Sequence, residues 1–123
     1  MLLLRILAGV FAATLLVAQT PAEATAQTNK AFTLLTGEKY QALFAMFTPE
    51  MQAALPVERL REQVGPTMRS LGPVKSQGKP TVTQVDDNHV VIIPVVFTKA
   101  NINFQCAVTQ AGKISGMFLR PGQ

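Results

Sequence analysis

Apolar positions recur at helical intervals through the first half of this chain and at strand intervals through the second. From Thr28 to Phe47, the residues Phe32, Leu35, Leu43, Met46 and Phe47 fall mostly on one helical face, with Thr28 or Asn29 as the expected N-cap. Gly37 interrupts this stretch, which predicts one helix with a weak point or two shorter ones. Thr48-Pro49-Glu50 restarts the helix with a capping hydroxyl, a proline at the first helical position and an acid facing the positive end of the dipole. That second helix is expected to end near Leu55-Pro56. A third begins at Val57, where Leu60, Val64, Met68 and Leu71 form one stripe. Pro66 lies inside it, lacks a backbone donor and crowds the preceding turn, so a kink or a break is expected there. Gly72-Pro73 closes the helical half.

Beyond Pro73 the pattern changes to runs of Val, Ile, Phe and Thr, and four strands are expected at Val82–Val85, His89–Thr98, Ile102–Thr109 and Ile114–Arg120. Asp87-Asn88, Lys99-Ala100-Asn101 and Ala111-Gly112 are short connections of the kind that joins antiparallel hairpins. The expected class is therefore α+β, with N-terminal helices followed by a curved antiparallel sheet of about four strands. The second of these strands is apolar on both faces, because Val91, Ile93, Val95 and Phe97 alternate with Val90, Ile92, Pro94 and Val96. Whichever row faces the helices, the other needs cover from a curled sheet, a dimer partner or another protein. A homodimer through this sheet is one expectation. Pro94 gives no ladder hydrogen bond and points to an edge position or a bulge.

The N-terminus carries a different pattern. Arg5 precedes an uninterrupted small and apolar run from Ile6 to Ala18, and Pro21 to Ala26 supply small residues of the type a signal peptidase accepts. The run is 13 residues long, short of the roughly 20 that span a bilayer. Residues 1–24 therefore read as a leader, cut after Ala24 or Ala26, and residues 27–121 as a single domain. The expected location is periplasmic or secreted, with no membrane span after processing.

Removing the leader takes away one base, Arg5, and one acid, Glu23, and leaves the formal charge at +4. The bases are scattered without interleaved aromatics, so a nucleic-acid partner is not expected. Cys106 is the single cysteine, which excludes an internal disulfide. Alternation places it with Ile102, Phe104 and Val108, as a small buried residue.

Catalysis requires titrating groups held together, and few are available. Glu50 suits a helix start, Glu58 and Glu62 a solvated helix face, and Asp86 and Asp87 a turn. His89 opens a strand at that turn and is expected at the surface. Asp86, Asp87 and His89 form the one tight cluster, which is too small for a metal site, so no metal or cofactor is expected. Neither a Gly-x-Ser-x-Gly elbow nor a phosphate loop or dinucleotide fingerprint is present.

Ala31-Phe32, Gly37-Glu38-Lys39-Tyr40, Ala42, Phe47, Met51, Leu60, Gly72-Pro73-Val74, the strand Val91 to Phe97 and the closing Gly112-Lys113-Ile114-Ser115-Gly116-Met117-Phe118-Leu119-Arg120-Pro121 together resemble the bacterial domain-of-unknown-function family DUF3887. The resemblance implies a cone similar to nuclear transport factor 2 and cystatin, in which a curved sheet wraps helices. Members are often joined to a secreted α/β-hydrolase; the resemblance covers only the domain ahead of it, so no hydrolase activity and no catalytic residue carries over. Relatives commonly have a tryptophan in the third helix, where this chain has Val64 or its neighbours.

The leading expectation is an exported, non-enzymatic domain that binds a small apolar ligand or a partner protein. Its pocket would draw on Phe32, Leu35, Tyr40, Leu43, Phe47, Phe97, Phe104 and Phe118. Two alternatives are a small enzyme using Tyr40 or His89 as acid or base, and a sheet-mediated homodimeric module.

Overall fold

A computed structural model describes residues 18–122. The apolar run up to Val17 lies outside the described residues. Five helical elements precede five strands: α1 (Pro21–Thr36), α2 (Tyr40–Ala45), α3 (Pro49–Ala54), α4 (Val57–Arg59) and α5 (Gly65–Ser70), with one π-helical turn at Leu60–Val64 between the last two. The strands are β1 (Val74–Gln77), β2 (Thr81–Val85), β3 (Asn88–Phe97), β4 (Asn101–Val108) and β5 (Ile114–Pro121). All pairings among them are antiparallel, in the order β1-β3-β4-β5, with β2 also on β3. No helix among the described residues is long and apolar enough to cross a membrane.

Helix α1 starts well before the expected caps. Thr20 is the N-cap: its hydroxyl accepts from the Glu23 amide, and the Glu23 carboxylate accepts from the Thr20 amide. This reciprocal capping box is legible in Thr20-Pro21-Ala22-Glu23 as T-x-x-E, within residues that resemble a processing site. Thr28, expected to cap the helix, is instead buried inside it and donates its hydroxyl to the Ala24 carbonyl at 2.9 Å. Ala24, Thr28, Ala31, Phe32 and Leu35 form the buried stripe, at spacings that keep one face toward the sheet.

The second expected helix is where the pattern puts it. Thr48 caps α3 through the Met51 amide, Pro49 follows, and Leu55 ends it. The third is broken as the proline predicts, by a specific device. The Gly65 amide reaches back five residues to the Leu60 carbonyl, a wide turn immediately ahead of Pro66. Widening the turn there lets the helix axis continue past a residue with no donor.

Helices cover one face of the sheet. Val91, Ile93, Val95 and Phe97 of β3 are buried, as are Phe104, Cys106 and Val108 of β4 and Ile114 of β5. Phe32 meets Phe104 with ring centres 5.1 Å apart and Phe97 at 6.3 Å, which locks α1 to the two central strands. Burial of side chains this size contributes about 1.5–3 kcal/mol each. The α2–α3 connection is fastened to β5, because Thr48 N donates to the Ile114 carbonyl and Ile114 N to the Met46 carbonyl.

Three strand expectations change. A fifth strand, β1, is present; all four of its residues are exposed, so no apolar alternation marks it. His89 is not at the surface but on the inner face, 5 % exposed, in register with Val108. Pro94 lies in neither an edge strand nor a bulge of its own strand. It sits opposite Asn103 of β4 on one side and accepts from the Gly78 amide on the other. Gly78 lies between β1 and β2, so the absent N–H of Pro94 faces the gap where the outer strand is split in two. The outward row of Val90, Ile92, Pro94 and Val96 is half-buried rather than exposed.

Candidate functional site

A cleft of about 470 Å³ opens at the end of the molecule where α1, α5, β1 and the end of β3 meet. Leu35, Met68, Pro73, Val74 and Phe97 supply apolar walls, and Glu38, Tyr40 and Arg69 supply the polar groups. Local sequence sets each of these. Gly37 caps α1, and Glu38 then turns the chain with φ of 58°, which starts α2 with Tyr40 pointing inward. At the other wall, Gly72 adopts φ of +81°, and a Cβ there would fall on the Thr98 hydroxyl. The Thr98 and Lys99 amides donate to the Pro73 and Leu71 carbonyls, so the α5–β1 turn is held against the β3–β4 turn.

Tyr40 is the central residue. It is 6 % exposed, and its hydroxyl has no hydrogen-bond partner among the described residues. An unsatisfied buried hydroxyl costs about 1–3 kcal/mol, which makes it the polar group in the cleft most in need of a partner. Gly65 makes room for it: a Cβ at this position would overlap the phenolic oxygen and would lie 3.4 Å from Arg69 Nη1. The hydroxyl and the guanidinium therefore border the same small space. Arg61 adds a second cation, its guanidinium carbon 5.8 Å from the centre of the Tyr40 ring. Among the described residues that line the cleft, Glu38 is the one acid, and its Oε1 is 3.3 Å from Arg69 Nη1 in a half-exposed ion pair. Pairs this exposed contribute little, so separating Glu38 from Arg69 costs little.

Of the residues singled out in the sequence, Leu35, Tyr40 and Phe97 line this cleft. Phe32, Leu43, Phe47 and Phe104 belong to the core. Phe118 is on the opposite face of the sheet, 44 % exposed, with its ring over Gly116 and the Arg120 guanidinium 4.7 Å from its centre. Sequence reasoning missed Glu38, Gly65, Met68 and Arg69 as cleft residues. The Gly65-Pro66 pair was the available signal, since it marks both the wide helical turn and the point where a backbone comes close to a side chain.

The remaining chemistry-bearing groups are dispersed. Cys106 is fully buried, and its burial pushes the thiol up to about 12, with a Thr28 hydrogen bond working in the other direction. A thiol so protonated is a poor nucleophile. Asp86 and Asp87 sit exposed at the β2–β3 turn while His89 turns inward. Among the described residues, no group of three His, Cys, Asp or Glu side chains could hold a metal ion.

Helices over one face of an antiparallel sheet, with an amphipathic cleft at one end, define a small single-sheet α+β domain. The chain belongs to DUF3887, a family of proteins of unknown function, whose model matches residues 28–117. It is similar in fold to an NMR structure of a protein from Ruminococcus gnavus ATCC 29149, with a TM-score of 0.64 and 19 % identity over 80 % of this chain and 90 % of that one. No curated protein matches.

Proposed function

We propose that the chain is an exported domain that binds a small amphiphile in the cleft, with an apolar body along Leu35, Met68 and Phe97 and an anionic end at Tyr40 and Arg69. The observation that carries this reading is the buried, unpartnered Tyr40 hydroxyl beside Arg69 in a cleft whose remaining walls are mostly apolar. The volume falls within the roughly 300–1,000 Å³ of small-molecule sites, which are mostly apolar with a few placed polar groups. Arg69 is the cation lining the polar end, and its half-exposed pair with Glu38 leaves it open to exchange for an anion on the ligand. The apolar run from Ile6 to Ala18 after Arg5 supports export.

Tyr40 is the single tyrosine and the chain has no tryptophan, so intrinsic emission reports directly on the cleft. Titration with sodium decanoate below its micelle concentration is expected to change that emission saturably, and 1-decanol to act more weakly. Calorimetry on Arg69→Gln should show the two probes binding alike. Absence of saturable binding of either probe to the parent protein would overturn the reading.

A further inference from the structure

The start of helix α1 is a working part of the folded domain, and that places the leader's end further upstream than the small residues of Pro21 to Ala26 suggest. Resting on the export reading above, we propose that the leader is removed by hydrolysis of the Ala18–Gln19 amide. Water adds across that bond, releasing the Ala18 carboxylate and leaving the Gln19 amine as the mature N-terminus.

Four contacts depend on residues between Gln19 and Ala24. The Gln19 amide donates to Gln110 Oε1 at 3.0 Å, and Gln110 Nε2 donates to the Asp87 carbonyl at 2.6 Å, tying the chain start to both the β4–β5 and β2–β3 connections. Thr20 and Glu23 form the capping box, at 3.0 and 2.9 Å. Ala24 is fully buried in the core. Its carbonyl accepts the hydroxyl of Thr28, itself fully buried.

A cut after Ala24 would remove the Gln19–Gln110 hydrogen bond, the capping box and the buried Ala24. It would take a methyl group from the core and leave the Thr28 hydroxyl without its acceptor. A cut after Ala26 would do the same and shorten the helix further. A cut after Ala18 removes none of them, since Ala18 is exposed and precedes every one of these contacts. Ala18 is the small residue that ends the apolar run, as a signal peptidase needs just before its cut, and Leu16, two positions earlier, is uncharged and aliphatic. Gln19-Thr20-Pro21 follows, and Pro21 opens the helix.

Expression of the full chain in an exporting bacterial host, followed by N-terminal sequencing and intact mass of the exported fraction, tests this. The expected start is Gln19, or its cyclised form lighter by one ammonia. Ala18→Asp should reduce the cut product at least tenfold, with full-length precursor accumulating. Ala26→Asp, at an exposed helix position, should leave the Gln19 start unchanged. A start at Thr25 or Gln27, or the opposite pattern in the two variants, overturns the assigned cut while keeping export. Material beginning at Met1 in the cytosol overturns export and the assigned cut together.

Discussion

The phenolic oxygen of Tyr40 lies against the α-carbon of Gly65, so close that a methyl group at position 65 would overlap it. Tyr40 opens α2 and Gly65 closes the π-helical turn ahead of α5. The cleft's polar end therefore exists because one residue has no side chain and the other has a hydroxyl with no partner.

Opposite effects on stability and binding follow from this contact. Tyr40→Phe deletes an unsatisfied buried hydroxyl and is expected to raise stability by about 1 kcal/mol while weakening decanoate binding. Gly65→Ala should cost about 1–3 kcal/mol through overpacking, less a gain of up to about 1 kcal/mol in helix propensity. In the double variant the overlap is gone, and a urea-unfolding cycle should show non-additivity of at least about 1 kcal/mol. Additive effects would mean that the two residues do not constrain each other.

Glu38 combines left-handed backbone, with φ of 58°, and a carboxylate that pairs with Arg69 at the rim. Asparagine tolerates that conformation better than glutamate. Glu38→Asn is expected to leave thermal stability equal or slightly raised and to tighten decanoate binding several-fold. Weaker binding would show that Glu38 contacts the ligand favourably.

Adjacent residues of β3 should respond in opposite ways to the same charge. Ile93 is fully buried against the helices, whereas Ile92 is half-buried on the outward row beside Thr81 and Gln105. Ile93→Lys should unfold the domain, because a buried unpaired ammonium costs several kcal/mol (~3 or more). Ile92→Lys should keep a native circular dichroism spectrum, and sedimentation of this variant beside the parent reads any self-association through the outward row. An unfolded Ile92→Lys alongside a folded Ile93→Lys would reverse the assignment of faces.

Cys106 makes the domain sensitive to alkali. Its thiol is held at about 12 when folded against an ordinary value of 9.0, so between these values the unfolded chain has lost a proton that the folded one retains. Stability from this group is intact below about pH 9 and declines as pH rises toward 12, by on the order of 4 kcal/mol over the window. Cys106→Ala should flatten the high-pH limb of the stability profile relative to the parent. Maleimide should label the native thiol far more slowly than the urea-unfolded one; equal rates would contradict its burial.

The division into helices then strands, the Thr48-Pro49-Glu50 restart, the disruption at Pro66 and the hairpin order were all set by the sequence alone. Each rests on neighbours within a few residues: a cap, a missing donor, an alternation of period two. The same local signals could not say which row of β3 faces inward, since Val91 and Ile93 are no more apolar than Val90 and Ile92. Packing of Phe32 against Phe97 and Phe104 decided that, by placing α1 on one side. Tertiary structure likewise turned His89 inward and set Pro94 opposite the split between β1 and β2. The cleft was decided by tertiary structure too, because Leu35, Tyr40, Gly65, Arg69 and Phe97 lie far apart along the chain. Periodicity reports which residues seek cover, while the identity of what covers them depends on contacts that no local pattern encodes.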